Sequence, residues 1–311
     1  MRLLLSVAFV AVLLSGCSKK NEEPPCPVYY NDVKPAGSMI VQAYFSPVWH
    51  PNGEVLGFNY VPIAGTASDR CSGTYLKYKE DSAGFYTINK DGTGFKRITN
   101  YMIYSPAWSP DGNQLVFYDL KGLSSLPYTA SGFDTAQKKI LTTNVYDRYP
   151  SFTATGDSIY FASSSGSSIF TPVLAKMAAD GTGKSIVMAD RAEFPFLGSD
   201  NFIYFVNSKY QLCKVDKGGA NPQVLSGDKP DSYASPVLYN GKIYFRKGYT
   251  LSILNGADLE NGTGEFAISK NGDIAYTKTE PIGNGSNKQN GVLWLMNADG
   301  TNKRQFTYNH Y

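Results

Sequence analysis

SPAWSPDGNQLVFYDL, Ser105 to Leu120, is the stretch whose reading decides the fold. Ser109-Pro110-Asp111-Gly112 has the chemistry of a tight turn. Proline fixes φ at the second position, aspartate bonds back to the backbone, and glycine takes φ above zero. The run that follows, Gln114 to Tyr118, is rich in strand formers. The unit recurs. SPVWHPNGEVLGF begins at Ser46, YPSFTATGDSIYF at Tyr149, FPFLGSDNFIYF at Phe194 and SPVLYNGKIYF at Ser235. A degenerate sixth copy, GEFAISKNGDIAY, begins at Gly264. Successive copies lie roughly 30 to 60 residues apart, the period of a four-stranded propeller blade.

The strand after each turn supports this reading. Ile159-Tyr160-Phe161, Ile203-Tyr204-Phe205 and Ile243-Tyr244-Phe245 are apolar without alternation. A sheet with one wet face would alternate; unbroken apolarity means both faces are covered, as when a blade lies between two others. Trp49 and Trp108, with Phe152, Leu197 and Leu238 at the same repeat position, are expected to pack between blades. A second repeat supplies the outer hairpins: INKDGTGFKRIT from Ile88, KMAADGTGKSIVM from Lys176 and LMNADGTNKRQFT from Leu295, each turning on Asp-Gly-Thr,. One acidic residue per turn is too few for a calcium loop. The fold class expected is all-β, a six-bladed propeller of four-stranded blades.

The pairing of Pro-x-Trp-Ser-Pro-Asp-Gly with Asp-Gly-Thr hairpins resembles the TolB-type six-bladed propellers, with their WD-like β-propeller repeats. The resemblance runs from about Ser46 to Thr307. It implies a bacterial envelope or periplasmic protein whose propeller is non-catalytic. The domain that precedes the propeller of TolB has no counterpart before Ser46, so the specific partners of TolB do not carry over. The fifth unit is short, with no clear fourth strand. Met39-Ile40-Val41 is a candidate closing strand.

The N-terminus reads as an address. Leu3 to Leu14 is apolar for about a dozen residues, short of the roughly 20 that span a bilayer. Leu14-Ser15-Gly16-Cys17 resembles a bacterial lipobox, which implies cleavage before Cys17 and lipidation of its thiol. Residues 1–16 are thus read as a lipoprotein signal peptide, 17–37 as the lipidated cysteine and a flexible polar tether, and 38–311 as the propeller domain,. The expected location is the bacterial cell envelope, lipid-anchored, at the outer membrane. A net charge of +3 is too mild for a nucleic-acid reader. Cys26 and Cys71 can pair in an oxidising compartment. Cys213, in YQLCKVD, reads as a small core hydrophobe. No Cys-x-x-Cys occurs, and no metal or cofactor is expected.

In a propeller the first-to-second and third-to-fourth turns share one face, here termed the turn face. The second-to-third loops and blade links share the other, the link face. The turn-face connections are short. The long segments, Tyr60 to Gly84, Asp119 to Ala136, Ser163 to Pro172 and Thr279 to Asn290, are assigned to the link face, and long loops carry function. The links bring Tyr104, Arg148, Tyr149, Glu193, Phe194 and Tyr233 to that mouth, a mixture suited to a protein, peptide or glycan of the envelope. The chain has two histidines: His50 in a turn and His310 next to the end. Neither is placed as a triad base, and no Gly-x-Ser-x-Gly or His-Glu-x-x-His occurs. The function expected is a membrane-anchored binding or scaffold module. The alternative is a propeller enzyme of polysaccharide lyase or hydrolase type, using a channel site.

Overall fold

The computed structural model describes residues 29–31, 40–69, 73–164, 171–227, 233–281 and 289–308. Cys17, Cys26, Cys71 and His310 lie outside them. Six antiparallel sheets follow one another along the chain, with first strands Tyr44–Trp49, Tyr104–Trp108, Arg148–Phe152, Glu193–Leu197, Tyr233–Tyr239 and Thr263–Ile268. Neighbouring first strands touch in sequence order, and the sixth touches the first, so the ring is closed.

Each first strand carries the same irregularity. Its register slips beside the second strand, for example between Phe45 and Val48 and between Arg148 and Ser151. The residue before the repeat proline sits there with positive φ: Ser46 51°, Ser105 47°, Tyr149 56°, Phe194 51° and Ser235 52°. This is a β-bulge. Proline bars its predecessor from the right-handed helical region, and the extra residue is accommodated in the left-handed one. The turn face is built as the sequence implies. Gly112 has φ 75° and donates to Ser109 O, while Asp111 accepts from the Ser109 hydroxyl and the Asn113 amide. In the outer hairpins Asp91, Asp180 and Asp299 each accept from the amide and hydroxyl of the threonine two residues on.

The core consists of the seams between blades. Trp49 packs with Ala275 and Leu295 of the sixth blade, and Trp108 with Val48 and Phe85 of the first. Phe152 packs on Val116 and Leu123 of the second, and Leu197 on Tyr160 and Leu174 of the third. Cys213 is buried in the same seam as Leu197. Asn59, fully buried, uses its amide as a peptide mimic: it donates to Ile103 O and accepts from Ile103 N at 2.9 Å, stapling blade one to the link into blade two.

Three expectations about strands change. Asp119 to Ala136 is not one long link-face loop. Asp119–Gly122 is a tight link-face turn, and Leu123–Thr129 is the third strand of blade two. Ser124 and Ser125 made this stretch look loop-like, yet both are buried, and Ser124 donates to Asp119 at 2.8 Å. The longer connection follows that strand and belongs to the turn face. Blade five does have a fourth strand, Asp258–Asn261, paired with Thr250–Ile253 and tied by the Ser252 hydroxyl to Asp258 at 2.6 Å. At the closure, Ile40–Gln42 pairs in parallel with Gln289–Gly291 of blade six, beside the fourth strand Arg304–Gln305. Within the stretch read as tether, Tyr29–Asn31 pairs with Ile63–Asp69. That strand and Gly73–Tyr78 form a hairpin inserted between the second and third strands of blade one, on the link face.

Candidate binding site

The bulges bring the residue before each repeat proline to the axis. A channel of about 170 Å³ is lined by the five pairs Ser46-Pro47, Ser105-Pro106, Tyr149-Pro150, Phe194-Pro195 and Ser235-Pro236, with Phe196, Val237 and Phe266. The sixth place in the proline ring is Glu265. Its carboxylate accepts the backbone N–H of Ser46, so the one charged member of the ring joins the last blade to the first.

On the link side the channel opens into a cavity of about 450 Å³, with Phe45, Tyr104, Arg246 and Thr277 in its wall. Both spaces share Tyr149, Phe194, Ser235 and Glu265. A third space of about 300 Å³ adjoins them, lined by Tyr146, Arg148, Arg191, Glu193 and Tyr210. The rings of Tyr149 and Phe194, centroids 4.4 Å apart, border both cavities.

The charged groups are placed by strand ends. Arg148 pairs with Ala162, Glu193 with Val206, and Arg246 with Ala234. Arg148 lies over Tyr118 at 4.7 Å and bonds its hydroxyl at 3.3 Å. Arg191 lies over Tyr210 at 5.0 Å and pairs with Glu193 at 2.7 Å. The Nε atoms of Arg148, Arg191 and Arg246 are all buried without an acceptor. Burial pushes the Tyr149 phenol above its usual range; Arg148 and Arg246 pull it down, Glu193 and Glu265 push it up. The phenol is therefore neutral at pH 7, at the centre of four charges. Burial also raises Tyr104, and Tyr118 adds to this.

Tyr104, Arg148, Tyr149, Glu193 and Phe194 thus come together on one face. Tyr233 begins the first strand of blade five opposite Lys247, and its side chain lies outside the described residues. Sequence reasoning missed Arg191, Arg246, Tyr118, Tyr210 and Glu265. For two of these a signal was present: Glu265 stands where every other copy has proline, and Arg246 directly follows the apolar run Ile243-Tyr244-Phe245 of the second strand of blade five. On the opposite face His50 is structural. Its Nδ1 accepts from Asn52 N, its Nε2 lies 3.1 Å from Gly112 O, and its ring meets Trp108 edge-on. No group of three or more His, Cys, Asp or Glu able to hold a metal occurs among the described residues.

No family model matches the sequence, and no curated protein matches it. Solved structures do. The crystal structure of TolB from Acinetobacter baumannii aligns with a TM-score of 0.55 at 16% identity, over 79% of this chain and 75% of that one. An oligogalacturonate lyase in complex with manganese aligns with a TM-score of 0.52 at 8% identity, over 85% and 77%. A nidogen/laminin complex aligns with a TM-score of 0.50 at 13% identity, over 71% and 80%. At these identities the likeness concerns the backbone. The chain has the fold of the TolB-type six-bladed β-propellers.

Proposed function

We propose that the chain is an envelope lipoprotein, lipidated at Cys17, whose propeller is a non-catalytic binding module. Its link-face basin takes a protein, peptide or glycan partner. The observation that carries this is the basin itself: contiguous cavities walled by aromatic rings and by arginines whose Nε atoms have no acceptor. Such walls suit recognition, because aromatic rings contribute contact area with few rotatable angles and the planar guanidinium fork contributes directed, pre-organised bonds. The carboxylates are engaged in structure, Glu193 with Arg191 and Glu265 with Ser46 N–H, which leaves neither poised as a general base. Strand Tyr29–Asn31 joins the link-face hairpin of blade one. A lipid on Cys17 would then hold the basin within about 40 Å of the membrane, the reach of an extended dozen residues.

The test is co-purification from envelope extract. Replacing Tyr104, Arg148 and Tyr149 together by Ala should abolish partner capture, while Lys242→Ala with Lys270→Ala on the turn face should leave it intact. Reversed outcomes overturn the assignment of faces. Labelling with an alkynyl fatty acid should mark the native chain and not Cys17→Ala. A second reading has one observation in its favour: a neutral Tyr149 phenol flanked by guanidinium and carboxylate is also the kit of a lyase. Turnover of a glycan or peptide that vanishes in Tyr149→Phe would establish it.

A further inference from the structure

We propose that the channel mouth receives the free C-terminus of a peptide whose last side chain is apolar. Arg246 takes the carboxylate and the proline-lined channel takes the side chain. The inference rests on the binding reading above and names its ligand class.

Arg246 is the starting point. Each other arginine among the described residues has an acceptor: Arg97 and Arg304 on backbone carbonyls, Arg148 on the Tyr118 hydroxyl, Arg191 on Glu193. Arg246 alone makes no hydrogen bond or ion pair there, and its Nε is buried. A guanidinium half-withdrawn from water without an acceptor is unfavourable by itself, and a carboxylate satisfies it with two parallel charge-assisted bonds. The cavity that holds Arg246 shares Tyr149, Phe194, Ser235 and Glu265 with the channel, whose apolar walls are the repeat prolines with Phe196, Val237 and Phe266, interrupted by serines and the Glu265 carboxylate. The channel volume, about 170 Å³, exceeds the roughly 150 Å³ of an apolar cavity that holds benzene. It therefore admits a Phe or Leu side chain. A cationic donor beside a proline- and phenylalanine-walled pit matches a terminal residue, whose carboxylate and side chain share one Cα,. A uronate sugar would meet the arginine but has nothing apolar to put in the pit.

The other charges set the sign of the field. Arg148, over the Tyr118 ring in the adjoining cavity, bonds the Tyr118 hydroxyl and no carboxylate, while Glu193 is neutralised by Arg191. Glu265 shares the cavity with Arg246 and opposes an incoming carboxylate. Three guanidiniums against two carboxylates leave the basin net positive, and Glu265 is the group that weakens binding.

Fluorescence anisotropy on the full-length protein tests this with a labelled Gly-Ser-Gly-Ser-Gly-Phe peptide as free acid and as C-terminal amide. The acid should bind saturably and the amide at least tenfold more weakly. Arg246→Ala should lose about tenfold or more, Arg246→Lys should recover part of it, and Arg148→Ala, acting only through the field, about threefold. Glu265→Gln should tighten binding. Ser235→Tyr should block the channel, and it is compatible with the fold because Tyr149 takes φ 56° at the same repeat position. Its melting curve checks that the blade is intact. Equal binding of acid and amide, or an unaffected Arg246→Ala, overturns the proposal. So does binding of oligogalacturonate in place of the peptide, which would move the arginine to a glycan ligand. If no peptide binds at millimolar concentration while partner capture still needs Tyr104, Arg148 and Tyr149, this inference fails and the binding reading stands. If capture ignores those residues as well, both fail.

Discussion

Removing the indole of Trp108 tests the repeat logic from which the fold was read. Trp108 is 9% exposed. It is packed against Val48 and Phe85 of blade one, Ile103 of the link, and Leu115 and Leu126 of its own blade. Its ring meets His50 at 4.6 Å, Tyr128 at 5.2 Å and Phe133 at 5.3 Å. Truncating such a residue loses transfer energy and leaves a cavity, about 3–5 kcal/mol for Trp→Ala. In a domain of this size each kcal/mol lowers the melting temperature by roughly 2–4 °C. Trp108→Ala should therefore melt about 6–20 °C below the native protein. The indole N–H has no acceptor, so Trp108→Phe removes an unpaired donor while keeping most of the ring. That change should cost less than about 1.5 kcal/mol, because relief of a buried unpaired group offsets much of the lost volume. Thermal melts followed by near-UV circular dichroism give the order. If Trp108→Ala melts within about 2 °C of native, Trp108 is not a seam residue and the alignment of the repeats is wrong. If Phe is as damaging as Ala, the indole N–H has a role the packing does not account for.

Asn59→Ala should destabilise by about 2–6 kcal/mol in urea unfolding, because it leaves both the N–H and the C=O of Ile103 buried and unpaired,. For Glu260, burial pushes the pKa up, but hydrogen bonds from Lys303 at 2.6 Å and Lys278 at 3.0 Å more than offset this and hold it below 4.5. A depressed carboxylate stabilises the fold above its unfolded pKa and loses that stabilisation as pH falls through the folded value. The urea midpoint should thus fall as pH drops below 4.5, and Glu260→Gln should flatten that part of the profile. Burial pushes the Cys213 thiol up to about 11, so alkylation mapped by peptide mass should spare Cys213 at pH 8 until the protein is unfolded.

The parts of the fold visible in the sequence are those where local chemistry and global packing agree. Ser109 to Gly112 dictates its turn with its own side chains, and Ile159 to Phe161 announces two covered faces without reference to any other residue. The parts that were hidden depend on neighbours. Ser124 and Ser125 resemble a loop until Asp119 and the adjoining seam bury them. Asp258 to Asn261 is too polar to read as a strand, and becomes one because Thr250–Ile253 offers it an edge. The candidate site was legible at the level of blade links, since Tyr104, Arg148 and Glu193 stand two residues before the repeat proline and Tyr149 and Phe194 one before it. Arg191 and Arg246 come from other strand ends at other offsets. Their convergence with the links follows from closing the ring, which no local pattern encodes.

The bulge explains why this ring can vary its lining without losing its shape. The backbone is held at nearly one φ, 47° to 56°, by five residues as different as Ser, Tyr and Phe. Two of those side chains, Tyr149 and Phe194, are bulky, and a left-handed conformation costs such residues on the order of 1–2 kcal/mol each. The strain is tolerated because the proline that follows excludes the main competing conformation, and because the residue sits where its side chain lines the axial channel,. Side-chain size at this position is therefore only loosely tied to the core: Tyr149 and Phe194 pack on each other, and Phe194 also touches the seam of Val206, Leu212 and Phe245. The sixth copy uses that freedom differently, with Gly264 at the bulge and Glu265 in place of proline. Gly264 does not take the positive φ of the other five, and the Glu265 carboxylate spans to Ser46 N–H across the junction of the last blade with the first. The one blade lacking the proline is the one that must be joined to the first, and its substitute both closes the ring and sets the charge of the channel. Glu265→Pro would restore the repeat while removing that link, and should lower the melting temperature by more than Glu265→Gln, whose amide oxygen still accepts from Ser46. Equal melting of the two variants would show that the junction is held by Ile40–Gln42 and the seam around Trp49 alone.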